Sequence, residues 1–281
     1  MAQKLNRLRL MTAAGLLCSA VTLTGSAEPR VVHEASSDFY DRIFVVDEGD
    51  LRGLHFDSAD GDRQTQIRIG HPEELPMPYL RSAAVGLAVP ASLERLLMIG
   101  LGGGAFANFV RERLPAVTID AVEIDPVVVA IARDYFAVRP DDRLAVHIAD
   151  AVEYVQQRHE PYDFILLDAY DADDLPEALT THAFFEDVRQ LLDADGIVVA
   201  NIAISSTRRT RDFISKIAGH FHYCMHLDSP PRYNDILLLS LAPLPDVAEL
   251  TERAERFDQA SAPMHNLRRY AETARPCFGP Q

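Results

Sequence analysis

The sequence predicts an α/β chain built on a doubly wound, seven-stranded, mostly parallel sheet, preceded by a small N-terminal antiparallel β element. Three observations carry that expectation. Short apolar runs recur along the chain and end in a glycine or an acid: 96–99 before Gly100, 117–122 before Glu123, 144–148 before Asp150 and 164–167 before Asp168. Stretches with helical spacing separate them, as with Phe106, Phe109, Val110 and Arg113. Four glycines in five positions (Gly100, Gly102, Gly103, Gly104) follow the first run, where the chain must turn sharply and a ligand can approach the backbone. Strand, glycine turn, helix, strand and then an acid is half of a nucleotide-binding unit, the acid placed to hold ribose hydroxyls.

Taken in order, residues 1–27 read as a signal peptide or an N-terminal anchor. Lys4, Arg7 and Arg9 make a basic start, 10–23 is mostly apolar and uncharged, and Gly25-Ser26-Ala27 has the small residues of a cleavage site. This predicts an exported, periplasmic or membrane-anchored protein, cytoplasmic if the segment is no working signal, with membrane contact through that segment alone. No second apolar stretch approaches the roughly 20 residues needed to span a bilayer.

Residues 37–72 read as a small β-strand domain, with strands at 42–46, 51–56 and 64–69 between Gly- and Asp-rich turns. Pro72, Pro76 and Pro78 make a rigid connector, and a helix follows at about 79–87. The main α/β domain is expected over 79–241. After Glu123 it continues with a helix opened by Pro126, where the missing N–H is harmless, and then the strand ending at Asp150. Next come a helix at 152–158, the strand ending at Asp168, an Asp-rich loop, a helix at 181–192, and the strand 197–201. A helix at 207–219 leads to two strands, 222–227 and 236–241, close enough in sequence to pair antiparallel. Residues 242–281 read as a polar helix and a ragged tail.

Composition narrows the function. The formal charge of -15 argues against nucleic acid as partner and suits a cationic small molecule. No clustered Cys and His suggest a metal. Beyond the first 27 residues two cysteines remain, Cys224 and Cys277, and the sequence leaves open whether they pair.

The connections at the carboxyl ends of parallel strands converge, so Glu123, Asp150, Asp168 and Asp171 should share one crevice with the glycine turn. Asp150, just before Val152, also suits a helix N-cap.

The motifs GLGGG, VEIDPVVV, HIADAVEYV, YDFILLDAYD, LTTHAFF and GIVVAN together resemble the spermidine synthase (polyamine aminopropyltransferase) family, a branch of the class I methyltransferase fold, over about 37–241. The resemblance implies aminopropyl transfer from decarboxylated S-adenosylmethionine (AdoMet) to a cationic amine, with no metal, and is compatible with a homodimer. It implies that Gly100, Gly102, Gly103 and Gly104 border the donor, that Glu123 holds its ribose, and that Asp150 and Ala151 meet its adenine. Asp168 is implied as the base, Asp171 as a polyamine contact, and Tyr79 as a residue of the reacting centre. Those residue types suit the chemistry, because the attacking amine must lose a proton and carboxylates bind cationic amines.

Three positions depart from the family pattern. Gly103 stands where the family has an Asp that binds the aminopropyl amine and would repel the carboxylate of AdoMet. Leu80 stands where a Gln follows the Tyr, and Asp41 replaces another Gln. Two other functions fit the crevice: an AdoMet-dependent methyltransferase, which Gly103 favours, and an exported polyamine- or nucleoside-binding module. An NAD-dependent oxidoreductase fits less well, since nothing after the sheet reads as a separate catalytic domain.

Overall fold

A computed structural model describes residues 28–170, 176–203, 207–230, 234–260 and 265–277. The chain opens with a four-stranded antiparallel sheet in sequential order: β1 (Arg30–Ala35), β2 (Ile43–Glu48), β3 (Leu51–Phe56) and β4 (Arg63–Arg68). The sequence predicted three strands here, starting at residue 37. The fourth, β1, lies before that boundary; its residues are mostly exposed or half-buried, so no apolar alternation marks it, and pairing with β2 defines it.

Helix α1 (Pro78–Val85) follows, then a short 3-10 turn, β5 (Arg95–Ile99), α2 (Ala105–Arg113), β6 (Thr118–Glu123) and α3 (Pro126–Tyr135). The chain continues through β7 (Leu144–Ile148), α4 (Ala151–Gln157), β8 (Tyr162–Leu167), α5 (His182–Gln190), β9 (Leu192–Ile202) and α6 (Thr207–Ala218). The last elements are β10 (Tyr223–Ser229), β11 (Asn234–Ser240), α7 (Val247–Gln259), α8 (Leu267–Ala271) and β12 (Arg275–Pro276). Several helix starts were written in the sequence. Asp125 caps α3 by accepting from Val127 N at 2.8 Å, with Pro126 in the first turn. Thr181 caps α5 through Phe184 N at 3.1 Å, and Asp246 caps α7 through Glu249 N at 2.9 Å.

The main sheet runs β12-β10-β11-β9-β8-β5-β6-β7, parallel from β9 to β7 and antiparallel at the other end. On β5, Leu96 and Met98 enter one apolar layer while Leu97 and Ile99 enter the other, so the strand is covered on both faces. The chain leaves β5 toward β6 and β7 on one side and returns to β8 on the other. The switch point therefore opens beside the carboxyl end of β5, where ligands bind in such sheets.

The sheet has eight strands rather than the expected seven. The addition is β12, drawn from the predicted ragged tail. Two residues carry no periodicity, so the strand depends on tertiary ties. A disulfide joins Cys224 to Cys277 with Cα atoms 5.5 Å apart, Cys277 N donates to Cys224 O at 3.1 Å, and Arg275 pairs with Asp228 at 2.8 Å.

The tail also plugs the back of the domain with a buried polar knot. His265 is 5% exposed, and its Nε2 accepts from Leu75 N at 3.0 Å. Asp258 accepts from His265 N at 2.8 Å, and Arg113 lies 3.7 Å from its carboxylate. Burial, then the nearby Arg113 charge, pushes the His265 imidazole down from 6.5 to about 4. The unfolded chain therefore binds this proton first, so its contribution to stability is complete above pH 6.5 and lost as pH falls toward 4. At about 1.4 kcal/mol per unit the difference reaches roughly 3 kcal/mol, and the buried His55 shifts in the same direction. Denaturant unfolding at a series of pH values is expected to show stability dropping through this window. Equal stability at pH 7 and pH 4 would contradict it.

Candidate active site

The site is assembled at the carboxyl ends of β5, β6 and β8, under a roof supplied by the N-terminal sheet. Gly100 turns the chain out of β5 with φ +94°, and its N–H donates to Val122 O at 2.9 Å. A Cβ there would lie 2.2 Å from the carbonyl oxygen of Asp168, so only glycine lets the two strand ends come this close. Glu123, at the end of β6, then secures the loop. Its Oε2 accepts from Leu101 N at 3.1 Å and Gly102 N at 3.2 Å, and its Oε1 from Asp125 N at 3.2 Å. Burial raises the Glu123 pKa above 4.5, opposed by those three N–H donors.

Asp168 ends β8 at the floor of the site. Its Oδ1 accepts from Asn201 Nδ2 at 2.7 Å and its Oδ2 from the Tyr79 hydroxyl at 3.1 Å. Asn201, at the end of β9, accepts in turn from Asn234 Nδ2 at 2.8 Å. Burial pushes the Asp168 carboxyl above its ordinary 3.8, while Asn201 and Tyr79 pull it back. Tyr79 comes from α1 and donates also toward Gln64 O at 3.4 Å. Its burial, followed by the Asp168 charge, raises its pKa well above 10, which keeps it a proton donor.

These groups open onto one cavity of about 1480 Å³. Its walls include Tyr79, Gly100, Gly102, Glu123, Asp150, Ala151 and Asp168, so most of the residues singled out in the sequence converge. Asp150 is exposed at the rim and caps α4, accepting from Val152 N at 2.7 Å. Gly103 and Gly104 lie one layer behind the wall, Gly103 donating its N–H to Thr65 Oγ1 at 2.9 Å. Leu80 is packed in the apolar core and Asp41 is exposed. Asp171 lies outside the described residues.

Six acids (Asp38, Asp60, Asp62, Glu123, Asp150, Asp168) are among the described lining residues, with one cation, Arg63, which Glu48 holds at 2.7 Å. Such a wall favours a cationic ligand. Sequence reasoning missed Asn201 and Asn234 as supports of Asp168, although Asn201 ends a predicted strand. It also missed Thr65, Gln64 and Gln66, whose roles depend on docking of the N-terminal sheet. Among the described residues, one group of metal-ligating type, His226, Asp228 and Asp235, stands outside the cavity wall on β10 and β11. Its members are engaged, His226 with Asp235 at 2.6 Å and Asp228 with Arg275 at 2.8 Å.

Comparison with known proteins adds an independent finding. The spermine/spermidine synthase domain profile matches residues 83–223. A polyamine aminopropyltransferase from Vibrio vulnificus is 32% identical over 256 residues, covering 88% of this chain and 84% of that protein. Among solved structures, a probable spermidine synthase from Corynebacterium glutamicum superposes with a TM-score of 0.70 at 19% identity, covering 84% of this chain and 95% of that one. Human methyltransferase-like protein 13, solved in complex with SAH, superposes with a TM-score of 0.60 at 26% identity, over 65% of this chain and 91% of that one.

Proposed function

The chain belongs to the spermine/spermidine synthase family, and on that premise we propose that it moves an aminopropyl group from decarboxylated AdoMet to an amine of a polyamine, releasing methylthioadenosine. The observation that carries the reading is Asp168, half-buried at the floor of an acidic cavity and held between Tyr79 and Asn201. A carboxylate so placed is aimed by two fixed donors and stands ready to take the proton of an attacking amine. The donor supplies an electrophilic carbon beside a sulfonium. The protein contributes alignment, a proton acceptor and a cation-favouring wall. Glu123 is the group we assign to the ribose hydroxyls and Asp150 with Ala151 to the adenine edge; Asp171 is assigned to the amine. Amine-dependent release of methylthioadenosine, measured with several diamines and triamines, tests the reading. No release with any of them would defeat it and favour a binding module.

Glu123→Gln is expected to weaken methylthioadenosine affinity by about 1.5–3 kcal/mol, the worth of hydrogen bonds to a charged group. Calorimetric titration checks this, and unchanged affinity would remove Glu123 from the site.

For compartment, we propose export directed by residues 1–27. The Cys224–Cys277 bridge supports it, since disulfides persist in oxidising compartments. The mature N-terminus is then expected at or near Glu28 by intact mass. A full-length mass in the cytosolic fraction would contradict export.

A further inference from the structure

We infer that Asn234 is a positioning residue for the proposed reaction: it fixes which end of the Asn201 amide faces Asp168, and through that contact keeps Asp168 a working proton acceptor. The inference rests on Asp168 as the group that takes the amine's proton, and names the residue, one step removed, that tunes it.

The register of the sheet brings the three side chains together. Leu166 of β8 lies beside Val199 of β9, and Val199 beside Leu238 of β11. All three enter the same apolar layer. Residues two apart on a strand share a face, so Asp168 and Asn201 end that column side by side. Asn201 pairs with Ile236, and Asn234 stands one step further along the same face of β11. The result is a polar row capping an apolar column. Asn201 Nδ2 donates to Asp168 Oδ1 at 2.7 Å, and Asn234 Nδ2 donates to Asn201 Oδ1 at 2.8 Å. Asn201 is 4% exposed, so both ends of its amide need a partner.

The sense of this row follows from what each group can do. A carboxylate only accepts, so the amide nitrogen of Asn201 must face Asp168. Its carbonyl then faces Asn234 and needs a donor, which the Asn234 N–H supplies. With Asn234 in place, turning the Asn201 amide end for end would set two donors against each other and a carbonyl against the Asp168 carboxylate. That contact matters for proton uptake. Burial raises the Asp168 pKa above 3.8, and the Asn201 bond opposes it more than the Tyr79 bond does. Tyr79 from α1, Tyr170 from the loop after β8 and Glu123 from β6 face the same cavity. Asp150 from the start of α4 joins them, with Asp38, Tyr40, Asp60, Asp62 and Arg63 from the N-terminal sheet and its loops. A neutral substitution at position 234 alters none of these.

Amine-dependent release of methylthioadenosine by the full chain, followed against pH, tests the role. Asn234→Leu keeps the size of the side chain, adds no charge and removes the donor. It is expected to move the acid limb of turnover up by about half a unit or more, with methylthioadenosine affinity unchanged. Asn234→Asp sets a second carboxylate against the same amide, and is expected to move the limb further, by about one unit or more. On the Asp168→Asn background, Asn234→Leu should cost no further turnover, because the group it acts through is gone. Lower turnover with an unmoved limb in Asn234→Leu would make Asn234 a structural residue and overturn the inference. So would a leucine variant identical to wild type, or an undiminished further loss on the Asp168→Asn background. Should the leucine variant fail to bind methylthioadenosine, Asn234→Asp decides, and an unmoved limb there overturns the inference. Should the wild type release no methylthioadenosine, the aminopropyl reading falls and the inference with it. Release by the wild type with the limb fixed in the variants leaves that reading standing and removes the inference alone.

Discussion

Asp168→Asn is expected to lower turnover by about 10²–10⁴-fold, the contribution of a positioned proton acceptor, while methylthioadenosine still binds. The amide keeps the shape of the carboxylate and can still meet Tyr79, so the floor of the cavity should stand. Its loss is chemical: an amide cannot take the amine's proton. A pH profile gives the same residue a second signature. Asp168 works in its unprotonated form, and burial raises its pKa above 3.8, so turnover should fall as pH drops through that raised value. The variant should lack this acid limb. A variant with near wild-type turnover would remove Asp168 from the reaction, and the function proposed above would lose its main support.

Gly100→Ala is expected to damage both stability and turnover. Its φ of +94° strains any residue with a Cβ, at about 1–2 kcal/mol, and the new methyl would meet Asp168 O at 2.2 Å. The clash is with backbone, so the end of β8 must shift. A displacement of about 1 Å at a reacting group can cost about 10²-fold in rate. Gly70→Ala separates the two causes, because Gly70 has φ +85° but nothing within 4 Å of a Cβ. That variant should lose stability and keep turnover. Equal turnover losses in both would show that strain alone, not the approach to Asp168, explains Gly100.

Much of this site was legible because its parts sit where the pattern of the sheet changes. Glu123 and Asp168 each end an apolar run, and the glycines interrupt another, so a reading of periodicity finds them without a structure. Asn201 also ends a strand, but a single amide has no pattern that distinguishes a support from a surface residue. Thr65 and Gln66 were harder still: they lie in the N-terminal sheet, and only its docking over the glycine loop brings them to the cavity. β12 escaped for a different reason. Two residues held by a disulfide and one ion pair have no local signal, since their conformation is set by partners about 50 residues away.

The most direct test of the central claim is the mass of the amine product formed from a donor that can give up either group. Incubated with decarboxylated AdoMet and a diamine, the full chain is expected to yield methylthioadenosine and an amine heavier by one aminopropyl group. An amine heavier by one methyl group, with the thioether keeping its propylamine tail, would contradict that claim and assign the crevice to methyl transfer.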